Sequence, residues 1–217
     1  MTRRAASGSS SAHPRGAAPA ALSLVAALLL GAGCATAPPP ASPEVAARAA
    51  ATRSYNSQLK VSLSGPQGRG RLRVLLAFRR PDGLRIEVPG PTGARLIAVA
   101  AGDALTAVFP SSRAVFLGRT NAEDMEALLS VRLSPREMMD LLVGVPVGSD
   151  HRVRWGPALP REVRATLSDR SRLKVTVEDA QAEAALADAA FAPPPHEGYR
   201  TVDADEARDL LVGRRRR

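Results

Sequence analysis

The chain has 217 residues, a formal charge of +9, one cysteine and 3% aromatic residues. So few aromatics leave no stacking platforms of the kind that single-strand nucleic-acid binders use, and the charge sits largely at the two ends. Arg3, Arg4 and Arg15 precede the cysteine, Arg214 to Arg217 close the chain, and the body between carries only about +2, so nucleic acid is not an expected partner.

The first 33 residues have the layout of a bacterial secretion signal: arginines, no acid, an apolar run from Ala20 to Leu30, then small residues. That run is about 11 residues long, whereas a membrane-spanning helix needs roughly 20, so it reads as the apolar region of a signal and not as a membrane helix. Cys34 follows directly behind Gly31-Ala32-Gly33. The arrangement resembles a lipoprotein signal peptide, which implies removal of residues 1–33 and acylation of Cys34, although Gly31 stands where that family usually has leucine. Thr2-Arg3-Arg4 lacks the apolar residues of a twin-arginine signal. Residues 34–42 are proline-rich and read as an extended tether between lipid and domain.

Residues 43–213 form the expected domain. Ser42 caps a helix predicted over 43–54, with Pro43 at its first position and Glu44 at the positive end. From Gln58 the apolar period becomes two. Leu59, Val61 and Leu63 form one strand; after Gly65-Pro66-Gln67-Gly68, Leu72, Val74, Leu76 and Phe78 form its hairpin partner. Pro81-Asp82-Gly83 turns into Leu84, Ile86 and Val88, Pro91-Thr92-Gly93 turns again, and further runs follow at 94–101, 105–109 and 114–118. Asn121 caps a helix over 122–130, and Ser134-Pro135-Arg136-Glu137 is a capping box that opens a helix over 135–143, stopped by Gly144. Strands resume at 162–168 and 172–178, residues 180–192 fit helix or strand equally, and Asp203 opens a last helix that runs toward the basic tail 214–217. The fold class is mainly β with flanking helices, a sheet large enough to curl.

No catalytic pattern stands out. His151 and His196 lack neighbouring carboxylates or cysteines at metal-ligand spacing, and neither a phosphate loop nor a serine elbow occurs, so no enzyme, metal or cofactor is expected. Two apolar surfaces would face one another if the sheet curled: the strand face with Leu72, Val74, Leu76, Phe78 and Ile86, and the helices with Met125, Leu128, Met138, Met139, Leu141 and Leu142. They either fill an ordinary core or line a cavity. Methionine suits the second use, being unbranched and polarisable.

The run Leu75 to Leu96, with Pro81-Asp82-Gly83-Leu84-Arg85 and Gly90-Pro91-Thr92-Gly93, resembles the LolA/LolB-like lipoprotein family, as do Leu141-Leu142-Val143-Gly144-Val145-Pro146 and Phe191-Ala192-Pro193-Pro194-Pro195-His196-Glu197-Gly198-Tyr199. The resemblance implies a half-open antiparallel β-barrel closed by short α-helices, with a cavity that receives acyl chains through Leu72, Val74, Leu76, Phe78, Ile86, Met125, Leu128, Met138, Met139 and Leu142. Cys34 points to the membrane-anchored branch, in which a monomer takes acylated lipoproteins or lipid from a soluble periplasmic lipoprotein carrier and inserts them into the outer membrane. Ala35, where enteric bacteria use Asp to retain lipoproteins, agrees with outer-membrane anchoring that faces the periplasm. The turn Pro91-Thr92-Gly93 occupies the membrane-proximal position of insertion-competent members, but carries Thr92 where they carry an apolar residue. The alternative is a structural or assembly lipoprotein that uses the same fold as a protein-interaction module in the cell envelope.

Overall fold

The computed structural model describes residues 41–66 and 68–213. The signal peptide, Cys34, most of the tether and the tail Arg214 to Arg217 lie outside the described residues. Two-residue alternation of apolar side chains sets most of the architecture. Helix α1 (Pro43–Ala50) leads into strands β1 (Ser54–Gly65), β2 (Gly68–Arg79), β3 (Gly83–Gly90), β4 (Gly93–Ala101), β5 (Ala104–Phe109) and β6 (Ala114–Arg119). Helices α2 (Ala122–Leu129) and α3 (Pro135–Leu142) then interrupt the sheet. Strands β7 (Ser149–Trp155), β8 (Pro160–Thr166) and β9 (Arg172–Ala182) come next, and β10 (Arg200–Thr201) and α4 (Ala204–Val212) close the domain.

Among the described residues the ten strands form one sheet in the order β10-β6-β5-β4-β3-β2-β1-β9-β8-β7. Neighbours are antiparallel except β10 and β6, and the terminal strands β10 and β7 do not pair, so the sheet stays open. The inward residues of β1, Tyr55 and Leu59, and of β2, Val74, Leu76 and Phe78, join one buried cluster with α3, α2 and the far strands β6 and β8, which requires the sheet to curl around its helices.

The caps behave as their residues dictate. Asn121 Oδ1 accepts from the Asp124 amide at 2.7 Å, Ser134 and Glu137 form a full capping box, and Asp203 accepts from the Glu206 amide at 2.8 Å. Helix α1 is shorter than the predicted 43–54. Its C-cap is Ala51, because the next residues already belong to the sheet: the Arg80 amide donates to the Arg53 carbonyl at 2.8 Å, and the Arg53 amide donates to Glu183 at 2.9 Å.

Strand β7 has no counterpart among the predicted elements. Only Val153 and Trp155 in Ser149–Trp155 are apolar, since an edge strand pairs on one side and needs little inward hydrophobicity. The ambiguous stretch 180–192 resolves as the end of β9, where Ala182 opposes Tyr55, and a 3-10 turn over Asp188–Phe191.

Gly144 adopts φ +82° just past α3, and a Cβ there would lie 2.7 Å from the Trp155 ring. Left-handed backbone and close approach both demand glycine. Gly144→Ala should cost at least about 1–2 kcal/mol, read as a lower urea midpoint at unchanged slope.

Candidate functional site

The inner face of β1, β2, β3 and β9 and the chain from Leu129 to Leu142 enclose an apolar cavity of about 70 Å³. Its strand walls are Leu59, Val61, Leu72, Val74, Leu76, Ile86, Val88, Leu173 and Val175. Its helical wall is Leu129, Val131, Leu133, Met138, Leu141 and Leu142. Register explains the strand wall: Leu59 opposes Val74, Val61 opposes both Leu72 and Val175, and Leu76 opposes Ile86, so inward positions line up across four strands.

Six of the ten residues expected to line a cavity do so: Leu72, Val74, Leu76, Ile86, Met138 and Leu142. Four do not. Phe78 lies farther along the same strand face, toward the end away from the hairpin tip, where it stacks on Tyr55 at 5.1 Å between centroids. Met139 is one residue from Met138 on α3, about 100° around the helix, and is fully buried off the cavity face. Met125 and Leu128 are fully buried on α2, which packs against α4, and Leu129 takes the cavity position instead. The strand residues that sequence reasoning left off the site carry the same two-residue alternation: Leu59 and Val61 line up with Val74 and Leu72 through the β1–β2 hairpin, while Leu173 and Val175 become lining through the β1–β9 pairing. That pairing joins strands more than a hundred residues apart in sequence.

The cavity opens at one end. Val61, Leu72, Leu129 and Val131 also line a recess of about 350 Å³, which is completed by the β1–β2 hairpin tip, by Leu211 and Val212 of α4, and by Arg69, Arg71, Arg95 and Arg208. Arg95 donates to the Leu211 carbonyl at 3.2 Å, tying β4 to the last turn of α4. The exposed turn Pro91-Thr92-Gly93 lies at this same end, because β2 and β3 run antiparallel and the strand that starts at the hairpin tip faces the one that finishes at Gly90.

Opposite the mouth, Arg80 fastens the covering helix. Its guanidinium pairs with Asp140 of α3 at 2.7 Å, donates to the Thr52 carbonyl at 3.2 Å and lies over the Phe78 ring. Burial pushes the neighbouring Tyr55 phenol up to about 12. Burial likewise lowers His151, while the ring of His196 meets the Pro194 carbonyl at 2.8 Å. Among the described residues no three His, Cys, Asp or Glu side chains gather into a metal-binding group, and no helix is long and apolar enough to cross a membrane.

No protein-family model matches the chain, and no curated protein matches it in sequence. Among solved structures it is similar to a LolA superfamily protein from Nitrosomonas europaea, at 9% identity and TM-score 0.44, over 71% of this chain and 98% of that one. It is also similar to an uncharacterized conserved protein from Thermus thermophilus, at 11% identity and TM-score 0.43, over 73% and 96%. A third likeness is to a putative outer membrane lipoprotein-sorting protein domain from Vibrio parahaemolyticus, at 8% identity and TM-score 0.38, over 68% and 93%. These are likenesses of fold alone.

The raised Tyr55 group gives a pH signature. Its pKa is about 12 in the folded chain against an ordinary value near 10, so its favourable contribution is complete below pH 10 and is lost as pH rises through 12. Urea midpoints should fall between those pH values by the equivalent of roughly 2 kcal/mol. Tyr55→Phe should flatten that part of the profile, and an unchanged profile would show that folding does not raise the phenol's pKa.

Proposed function

We propose that the protein binds acyl chains of lipids or of lipidated proteins in the cavity between the curled sheet and α3. We further propose that, anchored through Cys34 at the periplasmic side of the outer membrane, it receives acylated lipoproteins from a soluble carrier and helps insert them. The observation that carries this reading is a cavity lined by apolar side chains that opens through Val61, Leu72, Leu129 and Val131 into a recess of about 350 Å³. The motifs that resemble lipoprotein-localisation proteins frame the same space: Pro81-Asp82 borders Arg80, the anchor of α3, and Leu141-Leu142-Val143-Gly144 ends that helix.

Size decides how binding must proceed. A cavity of about 70 Å³ is far smaller than the roughly 300–1,000 Å³ of a site that takes a whole ligand. An acyl chain therefore enters from the recess and displaces Met138 and its leucine neighbours as α3 moves from the sheet, each CH₂ buried contributing about 0.8 kcal/mol. The small volume is also what supports the competing reading, an interaction module whose core is simply filled.

Leu129, half-buried at the junction of recess and cavity, separates the two. With a triacylated cysteinyl lipopeptide as probe, the folded protein should show saturable binding, and Leu129→Trp should weaken it at least tenfold by plugging the entrance, without lowering the melting temperature. No binding of the probe by folded protein would sink the acyl-cavity reading and leave the interaction module. In cells, Cys34→Ser should abolish acylation and the cleavage that depends on it, so the protein should leave the outer-membrane fraction as a chain that keeps its apolar run Ala20 to Leu30.

A further inference from the structure

The outer face of the sheet carries a second feature, built from the side chains that alternate with the cavity lining. Cross-strand register sets side chains in rows over five neighbouring strands. One row runs Arg71, Ser62, Lys174, Arg164, Arg152 across β2, β1, β9, β8 and β7. The next, nearer the hairpin tip, runs Arg69, Ser64, Arg172, Thr166. Strands stand about 4.8 Å apart, so the longer row spans roughly 20 Å. These side chains line an open cleft of about 920 Å³.

Acids are few there, and those at the edges are engaged. Asp150 meets the Thr166 hydroxyl at 3.4 Å, and Asp169 accepts from the Ser171 amide at 2.9 Å. In the adjoining row Glu162 takes Arg164 at 2.8 Å, Lys174 at 2.9 Å and Arg154 at 3.8 Å. Glu178 takes Lys60 at 2.5 Å and Arg73 at 3.2 Å. Burial opposes ionisation of Glu162, but Lys174 and Arg164 hold its carboxyl below the usual range. Among the described residues no carboxylate pairs with Arg69, Arg71, Arg152 or Arg172, all of which are exposed.

Like charges one strand apart repel, so a face built this way gains from an external anion. Its character selects the partner. Guanidinium groups present planar forks that match phosphate oxygens, and Ser62, Ser64 and Thr166 add hydroxyl donors between them. A protein interface would need exposed aromatic or aliphatic anchors, and neither row has one: the aliphatic residues that also line the cleft, Leu63, Ala165 and Leu173, are buried or half-buried, and among the described residues the exposed large hydrophobics are Leu75, Leu117 and Val212. Arg69 and Arg71 line both this cleft and the recess at the cavity mouth. We infer that the basic face of β2-β1-β9-β8-β7 docks on the phosphate headgroups of an anionic lipid surface, holding the mouth of the cavity at headgroup level. The inference stands whether or not the cavity takes acyl chains.

The test uses the full chain with Cys34→Ser, so that no acyl anchor contributes, and sedimentation with vesicles of phosphatidylcholine, with or without one third phosphatidylglycerol. Contributions from the apolar run Ala20 to Leu30 and from Arg214 to Arg217 are common to every variant and cancel in the comparison. Binding should require phosphatidylglycerol and should fade as salt shortens the screening length below about 10 Å. Arg71→Glu, Arg152→Glu and Arg172→Glu together should weaken it about a hundredfold. A charge-matched control, Arg48→Glu, Arg119→Glu and Arg136→Glu, at exposed positions off this face, should change it less than threefold. If the glutamate variant melts early, the glutamine set at the same three positions removes the charges without adding repulsion, and should still cost at least tenfold. Equal losses in the face and control variants would overturn the inference by reducing it to net charge. So would unchanged binding of the face variant to the phosphatidylglycerol vesicles, with or without loss of a co-purifying acidic protein from that variant.

Discussion

A sheet that curls without closing must cover its inner face with something other than itself. In this protein the cover is α3, eight residues long, five of them buried: Pro135, Met138, Met139, Leu141 and Leu142. Each fully buried leucine or methionine contributes roughly 1.5–3 kcal/mol, so a helix of two turns covers the strands that line the cavity, while Met125 and Leu128 of α2 and Ala207 and Leu211 of α4 extend the cover. The sealing is concentrated in few residues and is correspondingly local. Strand pairing does not depend on it, since the ladder from β6 through β8 is held by antiparallel hydrogen bonds and by its own cross-strand pairs. The open edges are protected separately: β10 is two residues long, and β7 carries Asp150, Arg152 and Arg154 at exposed positions.

What restrains α3 differs at its two ends. Near the start of β1, Asp140 pairs with Arg80, whose guanidinium also reaches the Thr52 carbonyl, and Tyr55 stacks on Phe78 beneath it. Both partners of the ion pair are about three-quarters shielded from water, which makes the pair stronger than a surface bridge. Toward the mouth, the link between α2 and α3 packs through Leu129, Val131 and Leu133, with only apolar contacts to the cavity. Apolar contact is non-directional and tolerates substitution of one hydrocarbon for another. The directional restraint on α3 is therefore concentrated at its charged, hydrogen-bonded end.

Most of the strands were legible because alternation is a local signal: Leu72, Val74, Leu76 and Phe78 announce both the strand and its buried face. The helices were legible from their caps, Asn121, Ser134 and Asp203. The missing part of the site was non-local. Whether Val175 faces the cavity depends on β9 docking beside β1, and no pattern within either segment encodes a partner more than a hundred residues away. The methionines misled for a related reason. Met138 and Met139 are equivalent by type, and only the placement of α3 against β2 and β3 decides which of them looks into the cavity. Edge strand β7 was invisible because pairing on one side leaves its sequence free to be polar.

The β1–β2 hairpin is where the two faces of the sheet become one device. Alternation gives its inner side Val61, Leu63 and Leu72 and its outer side Ser62, Ser64, Arg69 and Arg71. The strand that walls an apolar entrance thus displays, one residue out of phase, a cationic surface two strands wide. The register makes these properties inseparable: a one-residue slip would put arginines into the hydrocarbon wall and leucines into water. A molecule with hydrocarbon at one end and phosphate at the other matches that tip across its thickness. It would meet hydrocarbon on the inner side and guanidinium groups on the outer side, with the recess at the mouth as the place where its two ends part.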